Sequence, residues 1–253
     1  MKIDPSVIEK AKEMKRKGYA NSKIANALGL GKRTVVRHTA WLGLRSFMGV
    51  RRPLPPHASK MTAAKAGIHA YLAAEGNKKV SRPRRDNNYR RVVLEFWNTS
   101  PVLLKDFADH AKRVYDYQPW IDYRRGRVEV KRVAVVNDLL KYGPYDSYNW
   151  TIPSEVMNGN SKVKREWIRC FGDGEGHVSK SKKEMTIKSV NMLGLKKIQS
   201  LLSELGVPSR INGPYEGAHV LTVSKFSNLT EYHEMIGFAN PEKREKLEKL
   251  INL

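Results

Sequence analysis

Two carboxylates lie in a glycine-rich stretch of a chain that is otherwise crowded with lysine and arginine. Residues 170–176 read CFGDGEG, which places Asp173 and Glu175 between glycines where a helix would end. Carboxylate oxygens at such a point suit a hard divalent cation. Aspartate and glycine are equally common in turns, so this stretch alone indicates only a turn. A functional site here requires a partner elsewhere in the chain.

The chain is strongly basic. Its 253 residues include 47 Lys and Arg against 25 Asp and Glu, a formal net charge of +22. This excess favours a polyanionic partner, and nucleic acid fits better than a membrane surface because neutralised phosphates release counterions. No run of about 18 apolar residues is present, as a spanning helix would need. The N-terminus lacks a secretory signal and the single cysteine, Cys170, fits a reducing compartment, so we predict a cytoplasmic protein of prokaryotic or viral origin.

The glycine-rich stretch has a counterpart 100 residues earlier. Aligning AKAGIHAYLAAEGNKKV (64–80) with KREWIRCFGDGEGHV (164–178) pairs Glu75 with Glu175, and the glycine after each acid also matches. Both phrases have apolar residues at helical spacing before the acid. Internal repetition of this kind indicates a duplicated structural unit.

The similarity continues downstream of both phrases. Each is followed by an alternating strand that ends near an asparagine, Asn98 or Asn191, and then by a helix, two strands and a closing helical segment. In the first copy we predict that residues 127–136 are extended and that the closing helix begins at residue 138. The pattern therefore predicts two αββαββα units.

The first 60 residues carry 14 basic and 3 acidic groups, half of the charge excess of the whole chain. Three short helices are predicted within residues 5–44, with GLG at 29–31 as a tight turn before a basic third helix. This pattern resembles the helix-turn-helix modules of prokaryotic regulators, which implies a third helix in the major groove offering Lys32, Arg33, Arg37 and His38. The alternative is a three-helix domain whose charges are simply solvated.

Residues 46–60 hold three prolines and two arginines and indicate a semi-rigid spacer. The predicted organisation is a helical domain, a linker and two repeats, at 1–45, 46–60, 61–157 and 158–253.

The two phrases LAAEG and FGDGEG, each opening the same run of elements, resemble the paired LAGLIDADG motifs of single-chain homing endonucleases over residues 60–253. The resemblance implies an α+β fold in which the tandem repeats form a pseudo-twofold β-saddle, preceded here by the small all-α domain. It also implies a monomeric, Mg²⁺-dependent endonuclease that cuts both strands of duplex DNA at a long target. Because the chain begins with Met-Lys, a free-standing or intron-encoded protein is expected rather than an intein.

Small residues in both motif helices would let the helices pack closely and bring Glu75 and Glu175 together. Two adjacent carboxylates repel each other, and a divalent cation such as Mg²⁺ relieves the repulsion and can activate water. The predicted metal set is Glu75, Glu175, Asp173, Gly76 and Gly176. For Asp173 a helix-end or interface role is favoured over metal ligation.

The resemblance further implies a catalytic lysine near the end of the fourth strand, where Lys225 stands, although a merely solvated side chain remains open. The first copy offers no lysine in VAVVND. The predicted DNA-facing residues of the saddle are Arg82, Arg84, Arg90, Arg124, Arg127, Lys180, Lys182, Lys188 and Arg210. Each could read a base, hold a phosphate or be solvated.

Two other functions fit the same sequence. A transcriptional regulator could use the fold only to bind DNA, although acids retained at both motif ends argue against it. A maturase could instead hold intron RNA on the same basic surface.

Overall fold

The computed structural model describes residues 3–16, 19–39, 54–80 and 92–252. The chain divides into two compact units, residues 1–53 and 54–253. Most of the predicted linker at 46–60 lies outside the described residues. Within the parts that are described, no helix is long and apolar enough to cross a membrane.

The first unit is helical in its described part. Its helices are α1 (Pro5–Arg16), α2 (Asn21–Leu28) and α3 (Lys32–Thr39). Gly29 ends α2 in the left-handed region, at φ +63°, where glycine carries no steric penalty. A small core of Ala11, Ile24, Ala25 and Val35 joins the three helices. The tight turn before a basic helix is therefore present, and DNA binding by α3 stays a prediction.

The second unit holds two copies of one arrangement. The first copy contains α4 (Ala63–Glu75), β1 (Gly76–Val80), β2 (Val92–Trp97), α5 (Pro101–Tyr115), β3 (Trp120–Asp122), β4 (Arg127–Val130) and α6 (Val133–Leu139). A short helix, α7 (Ser154–Met157), leads into the second copy. That copy contains α8 (Ser161–Glu175), β5 (Gly176–Ser179), β6 (Glu184–Ser189), α9 (Met192–Glu204), β7 (Arg210–Tyr215), β8 (Ala218–Ser224), α10 (Phe226–Met235) and α11 (Pro241–Ile251).

Each copy forms one antiparallel four-stranded sheet. The strand orders are β1-β2-β4-β3 and β5-β6-β8-β7, so the two sheets share one topology. Alternate residues of the central strands, such as Leu94, Phe96, Met185 and Ile187, are buried in the common core. The predicted α+β class and tandem αββαββα repeats are confirmed.

One predicted boundary in the first copy is wrong. Strand β4 ends at Val130, and VAVV at 133–136 begins helix α6 instead of continuing the strand. Val135, Val136 and Leu139 are buried on one helical face. Packing on that face overrides the strand propensity of the β-branched residues. The earlier end of β4 also gives Lys225 a counterpart, because Lys131 directly follows β4 as Lys225 directly follows β8.

Candidate functional site

The two motif helices, α4 and α8, pack against each other at unusually short range. A Cβ added to Gly67 would lie 2.9 Å from the Sγ of Cys170, and one added to Gly174 would lie 2.7 Å from the Cβ of Ala74. Real Cβ atoms do not approach so closely, so a side chain at either point would force neighbouring atoms to shift. In the core of the same interface, the indole of Trp167 donates to Nδ1 of His69 at 3.0 Å. The small residues therefore bring the helix ends together, as predicted.

Glu75 and Glu175 are the last residues of these helices, and each is followed by a glycine that begins a strand. A Cβ on Gly76 would lie 2.1 Å from the carbonyl oxygen of Leu72. A Cβ on Gly176 would lie 2.4 Å from the corresponding oxygen of Gly172. Only glycine permits so abrupt a change from helix to strand. The Glu-Gly pairs therefore fix where the acids stand.

The charge of the first carboxylate affects the ionisation of the second. The surrounding protein desolvates Glu175 and raises its pKa to about 7, although the side chain still opens onto solvent, and the charge of Glu75 adds to the effect. Desolvation also raises the pKa of Glu75, while Lys243 and a hydrogen bond from Asn98 oppose the shift. A pair of acids whose ionised forms are disfavoured is a fitting donor set for a divalent cation with hard oxygen ligands.

Asn98 contacts only the first of these acids. Its Nδ2 donates to Oε1 of Glu75 at 3.4 Å. Asn191 is not its equivalent, contrary to the sequence alignment, because Asn191 caps α9 and donates to the carbonyl of Trp150. Ser189 takes the place of Asn98 in the second copy. Each of these two side chains accepts from the backbone N–H two residues later, at 2.9 Å for Asn98 and 3.1 Å for Ser189.

A cavity of about 270 Å³ opens beside the second acid. Glu175, Lys188 and Ser189 line it, together with Ala74 of the first motif and Ser147 of the segment between the repeats. Lys188 was predicted as a DNA contact, and the structure brings it to the same cavity as Glu175. Lys225, the predicted catalytic lysine, is exposed at the start of α10 and does not line this cavity.

The carboxylate of Asp173 is bound by protein groups. Its buried carboxylate accepts from Arg169 at 3.0 Å and from the backbone N–H groups of Ala239 and Asn240 at 3.1 and 2.9 Å. Burial raises its pKa to about 6, and these hydrogen bonds oppose the shift. The geometry favours the interface role, in which Asp173 anchors the start of α11.

Lys243 of α11 is a residue that the sequence did not single out. Its Nζ donates to the carbonyl oxygens of Gly172, Asp173 and Gly174 at 3.2, 2.6 and 3.1 Å. It thus satisfies the end of α8 immediately before Glu175. The Asn-Pro pair at 240–241 signals a helix start, but no spacing in the sequence connects that helix with the second motif.

A second cluster of metal-ligand residue types lies between α5 and α8. Within the described chain, ligand atoms of Asp106, His110, Glu166 and Cys170 all fall within 4.8 Å of one another. Arg169 already compensates this cluster, because one guanidinium nitrogen donates to Asp106 at 2.8 Å and to Glu166 at 2.5 Å. Burial raises the pKa of the Cys170 thiol well above its ordinary value. We therefore assign this cluster to holding the two repeats together.

The two sheets differ on the face that the helices leave uncovered. On the first sheet, Arg127 is buried and pairs with Glu95 at 3.1 Å and Glu129 at 3.3 Å. Its guanidinium also lies 5.4 Å from the ring centre of Trp97 and 5.7 Å from that of Trp120. Arg127 is thus engaged within the protein, which argues against the predicted DNA contact.

The second sheet presents side chains that have few partners in the described part of the chain. Strand register places Thr186, Lys188, Arg210 and Asn212 on its uncovered face. Among the described residues, Lys188 forms a distant ion pair with Glu216, at 3.9 Å. Exposed positions are also occupied by Arg124 in the β3–β4 turn, by Lys180 and Lys182 in the β5–β6 turn, and by Lys32, Arg33 and Arg37 on α3. His38 is half-buried, and Arg82, Arg84 and Arg90 lie outside the described residues.

One family model matches within the second repeat. Residues 162–237 match the family model of the LAGLIDADG-like domain. The homing endonuclease I-ApeI of Aeropyrum pernix is 30% identical over 107 residues, which cover 40% of this chain and 47% of that protein. The chain therefore aligns with about half of that relative's length.

Solved structures of I-DmoI share the fold. The alignment with I-DmoI in complex with DNA and Mn covers 70% of this chain and 97% of the I-DmoI chain, with a TM-score of 0.54 and 16% identity. The alignment with I-DmoI in complex with DNA and Ca covers 73% of this chain and 98% of the I-DmoI chain, with a TM-score of 0.53 and 18% identity. A LAGLIDADG-like domain therefore occupies residues 162–237, and the chain shares the I-DmoI fold over 70% of its length.

Proposed function

We propose that this chain is a site-specific DNA endonuclease that makes a metal-dependent double-strand cut at a long target. The observation that carries the proposal is the placement of Glu75 and Glu175 at the ends of two helices held in contact by Gly174 and Ala74. Packing alone would preserve the small residues but gives no reason for an acid at both equivalent points. The I-ApeI relative and the I-DmoI complexes with DNA and divalent metals support the same conclusion.

Glu75 and Glu175 would hold the cation, with the adjacent Gly76 and Gly176 as backbone contributors, and Mg²⁺ is the ion we propose. When bound, such an ion supplies an activated water and neutralises charge on a phosphodiester in its transition state. Lys188 faces the cavity beside Glu175 and would place a positive charge near the scissile phosphate. Each acid would serve one strand of the duplex.

Duplex DNA is the proposed partner, bound by a monomer. The uncovered faces of the two sheets would lie against the major groove, where Arg210 and Asn212 can reach base edges. Lys180, Lys182 and Arg124 extend from strand turns and would contact phosphates. The basic helix α3 would add contacts outside this region and lengthen the recognised site.

The experiment is cleavage of a randomised duplex library with Mg²⁺, with EDTA as the control, followed by sequencing of the ends. We expect metal-dependent ends clustered at one long motif. The variant carrying both Glu75→Gln and Glu175→Gln should bind the same motif without cutting it. Intact DNA binding with no metal-dependent ends from the unaltered chain would overturn the endonuclease and favour a regulator. Preference for structured RNA over duplex DNA would instead favour a maturase.

A further inference from the structure

The ammonium group of Lys243 is fixed at the end of the second motif helix. Asn240 caps α11 by accepting from the N–H groups of Glu242 and Lys243, at 3.0 and 3.4 Å. Asp173 accepts from the N–H of Asn240 and so ties the start of α11 to α8. Lys243 lies in the first turn of this anchored helix and is half-buried. Its position is therefore set by two independent backbone attachments.

All three donors of the ammonium are used on α8. They reach the carbonyl oxygens of Gly172, Asp173 and Gly174, at distances between 2.6 and 3.2 Å. The last carbonyls of a helix lack intrahelical partners and carry partial negative charge, so a cation is favoured there. An ammonium is the side-chain group with three donors and no acceptor, which matches these three oxygens.

The same charge lies close to both acids. Gly174 precedes Glu175, and the Cβ position of Gly174 is 3.7 Å from Cγ of Glu75. A cation bonded to the carbonyl of Gly174 therefore stands at the junction of the two motif ends. The ammonium interacts electrostatically with Glu75 and with Glu175.

We propose that Lys243 is a positioning residue that acts as the resident counter-ion of the Glu75–Glu175 pair. It holds the two carboxylates together in the metal-free protein and opposes a divalent cation that binds between them. The affinity of the DNA-free protein for the cation is thereby kept low, and phosphate groups of bound DNA supply the further negative charge that favours it. The inference rests on the proposed function only in taking this pair as the metal site.

The test is direct Mn²⁺ binding to the full chain without DNA, measured from the free-ion electron paramagnetic resonance signal at about pH 8, where free carboxyl groups are ionised. Lys243→Met removes the charge, and we expect Mn²⁺ to bind at least about threefold more tightly, because a like charge near the ion is lost. Lys243→Gln keeps an amide donor and should change in the same direction. Lys243→Arg keeps the charge and should match the unaltered chain.

Two controls separate charge from helix docking. Lys246→Met removes an exposed lysine of the same helix, paired with Glu242 at 2.6 Å, and should leave Mn²⁺ affinity unchanged. Leu247→Ala loosens the packing of α11 without touching the α8 carbonyls, since Leu247 is a buried core residue. If Leu247→Ala loses as much thermal stability as Lys243→Met and also binds Mn²⁺ more tightly, the charge assignment is overturned. Unchanged or weaker binding in Lys243→Met would do so directly.

Failure of this inference is distinguishable from failure of the proposed function. Mn²⁺ affinity that rises in Lys243→Met, in a protein that cuts no DNA, would support the counter-ion and reject the endonuclease. If the unaltered chain cuts DNA but its Lys243 variants bind Mn²⁺ with unchanged affinity, only the counter-ion proposal is rejected. If neither the unaltered chain nor Lys243→Met binds Mn²⁺, the counter-ion proposal is also rejected.

Discussion

Gly174 and Ala74 face each other so closely that a Cβ at position 174 would come within 2.7 Å of the Ala74 methyl. This contact lies one residue before both acids and sets how near the motif ends approach. We predict that Gly174→Ala costs about 1–3 kcal/mol in free energy of unfolding, because the packed helices must separate. Urea denaturation monitored by circular dichroism measures the cost.

The matched control exchanges the two residues. In the double variant Ala74→Gly, Gly174→Ala, one methyl group again lies between the helices, so much of the lost stability should return. Additive losses in the double variant would show that the contact does not govern the packing of the helices.

Cleavage should depend on Lys188 more than on Lys225. Lys188 lines the cavity that Glu175 faces, whereas Lys225 stands outside it. We expect Lys188→Met to slow single-turnover cleavage about tenfold or more, as the loss of a charge near the reacting phosphate would. Lys225→Met should change the rate by less than about threefold on the same grounds. Equal losses in both variants would restore Lys225 to the catalytic role that the family resemblance implied.

Stability of the metal-free protein should fall as pH rises. The folded pKa of Glu175 is raised to about 7 and that of Asp173 to about 6. Both groups therefore favour folding in their protonated forms, and this contribution is full below the unfolded pKa and lost as pH passes the folded pKa. Buried His69 has its pKa lowered to about 4 and therefore opposes the decline below its ordinary value of 6.5. Thermal melts from about pH 6.5 to about pH 8 should show the decline, and Glu175→Gln should flatten it.

Added Mg²⁺ should offset part of this decline. Because the cation binds the ionised pair, its stabilising effect should grow between about pH 6 and about pH 8. A thermal shift on adding Mg²⁺ that is the same at both ends of this range, or that persists when both glutamates are changed to glutamine, would contradict the assigned site.

Deleting residues 1–53, which form a compact unit of their own, should weaken DNA binding while leaving some cleavage. Lys32, Arg33 and Arg37 are exposed on α3 and would be lost with it. The salt dependence of the affinity should become shallower, by roughly 0.9 in logarithmic slope for each phosphate contact removed. A triple alanine variant at these three positions should reproduce most of the effect, and unchanged affinity in both proteins would remove α3 from recognition.

The repeated Glu-Gly phrase was enough to predict the duplicated fold, because each copy carried the same order of helical and alternating patterns. The boundary of β4 was predicted wrongly, since the valines of α6 resemble a strand until their burial on one helical face is known. The sequence pattern of a short segment does not show which of its faces packs against the core.

The acids at the motif ends were found from sequence, whereas their charged surroundings were not. Lys243 lies 68 residues after Glu175, and its approach depends on how α11 docks on α8. Arg127 was predicted to face DNA, and only strand pairing reveals the glutamates that hold it. Such contacts depend on how distant segments pack in the fold. The spacing of residues along a single sequence does not show that packing.

The closed network around Arg127 has a consequence for how this protein can acquire new targets. On the first sheet, changing Glu95 or Glu129 would disturb several partners at once, so adaptation there requires coordinated substitutions. On the second sheet, strand register places Thr186, Arg210 and Asn212 on the uncovered face, where they have few side-chain contacts with other described residues. Evolutionary or laboratory retargeting should therefore advance one residue at a time on the second sheet, while the first sheet stays comparatively fixed.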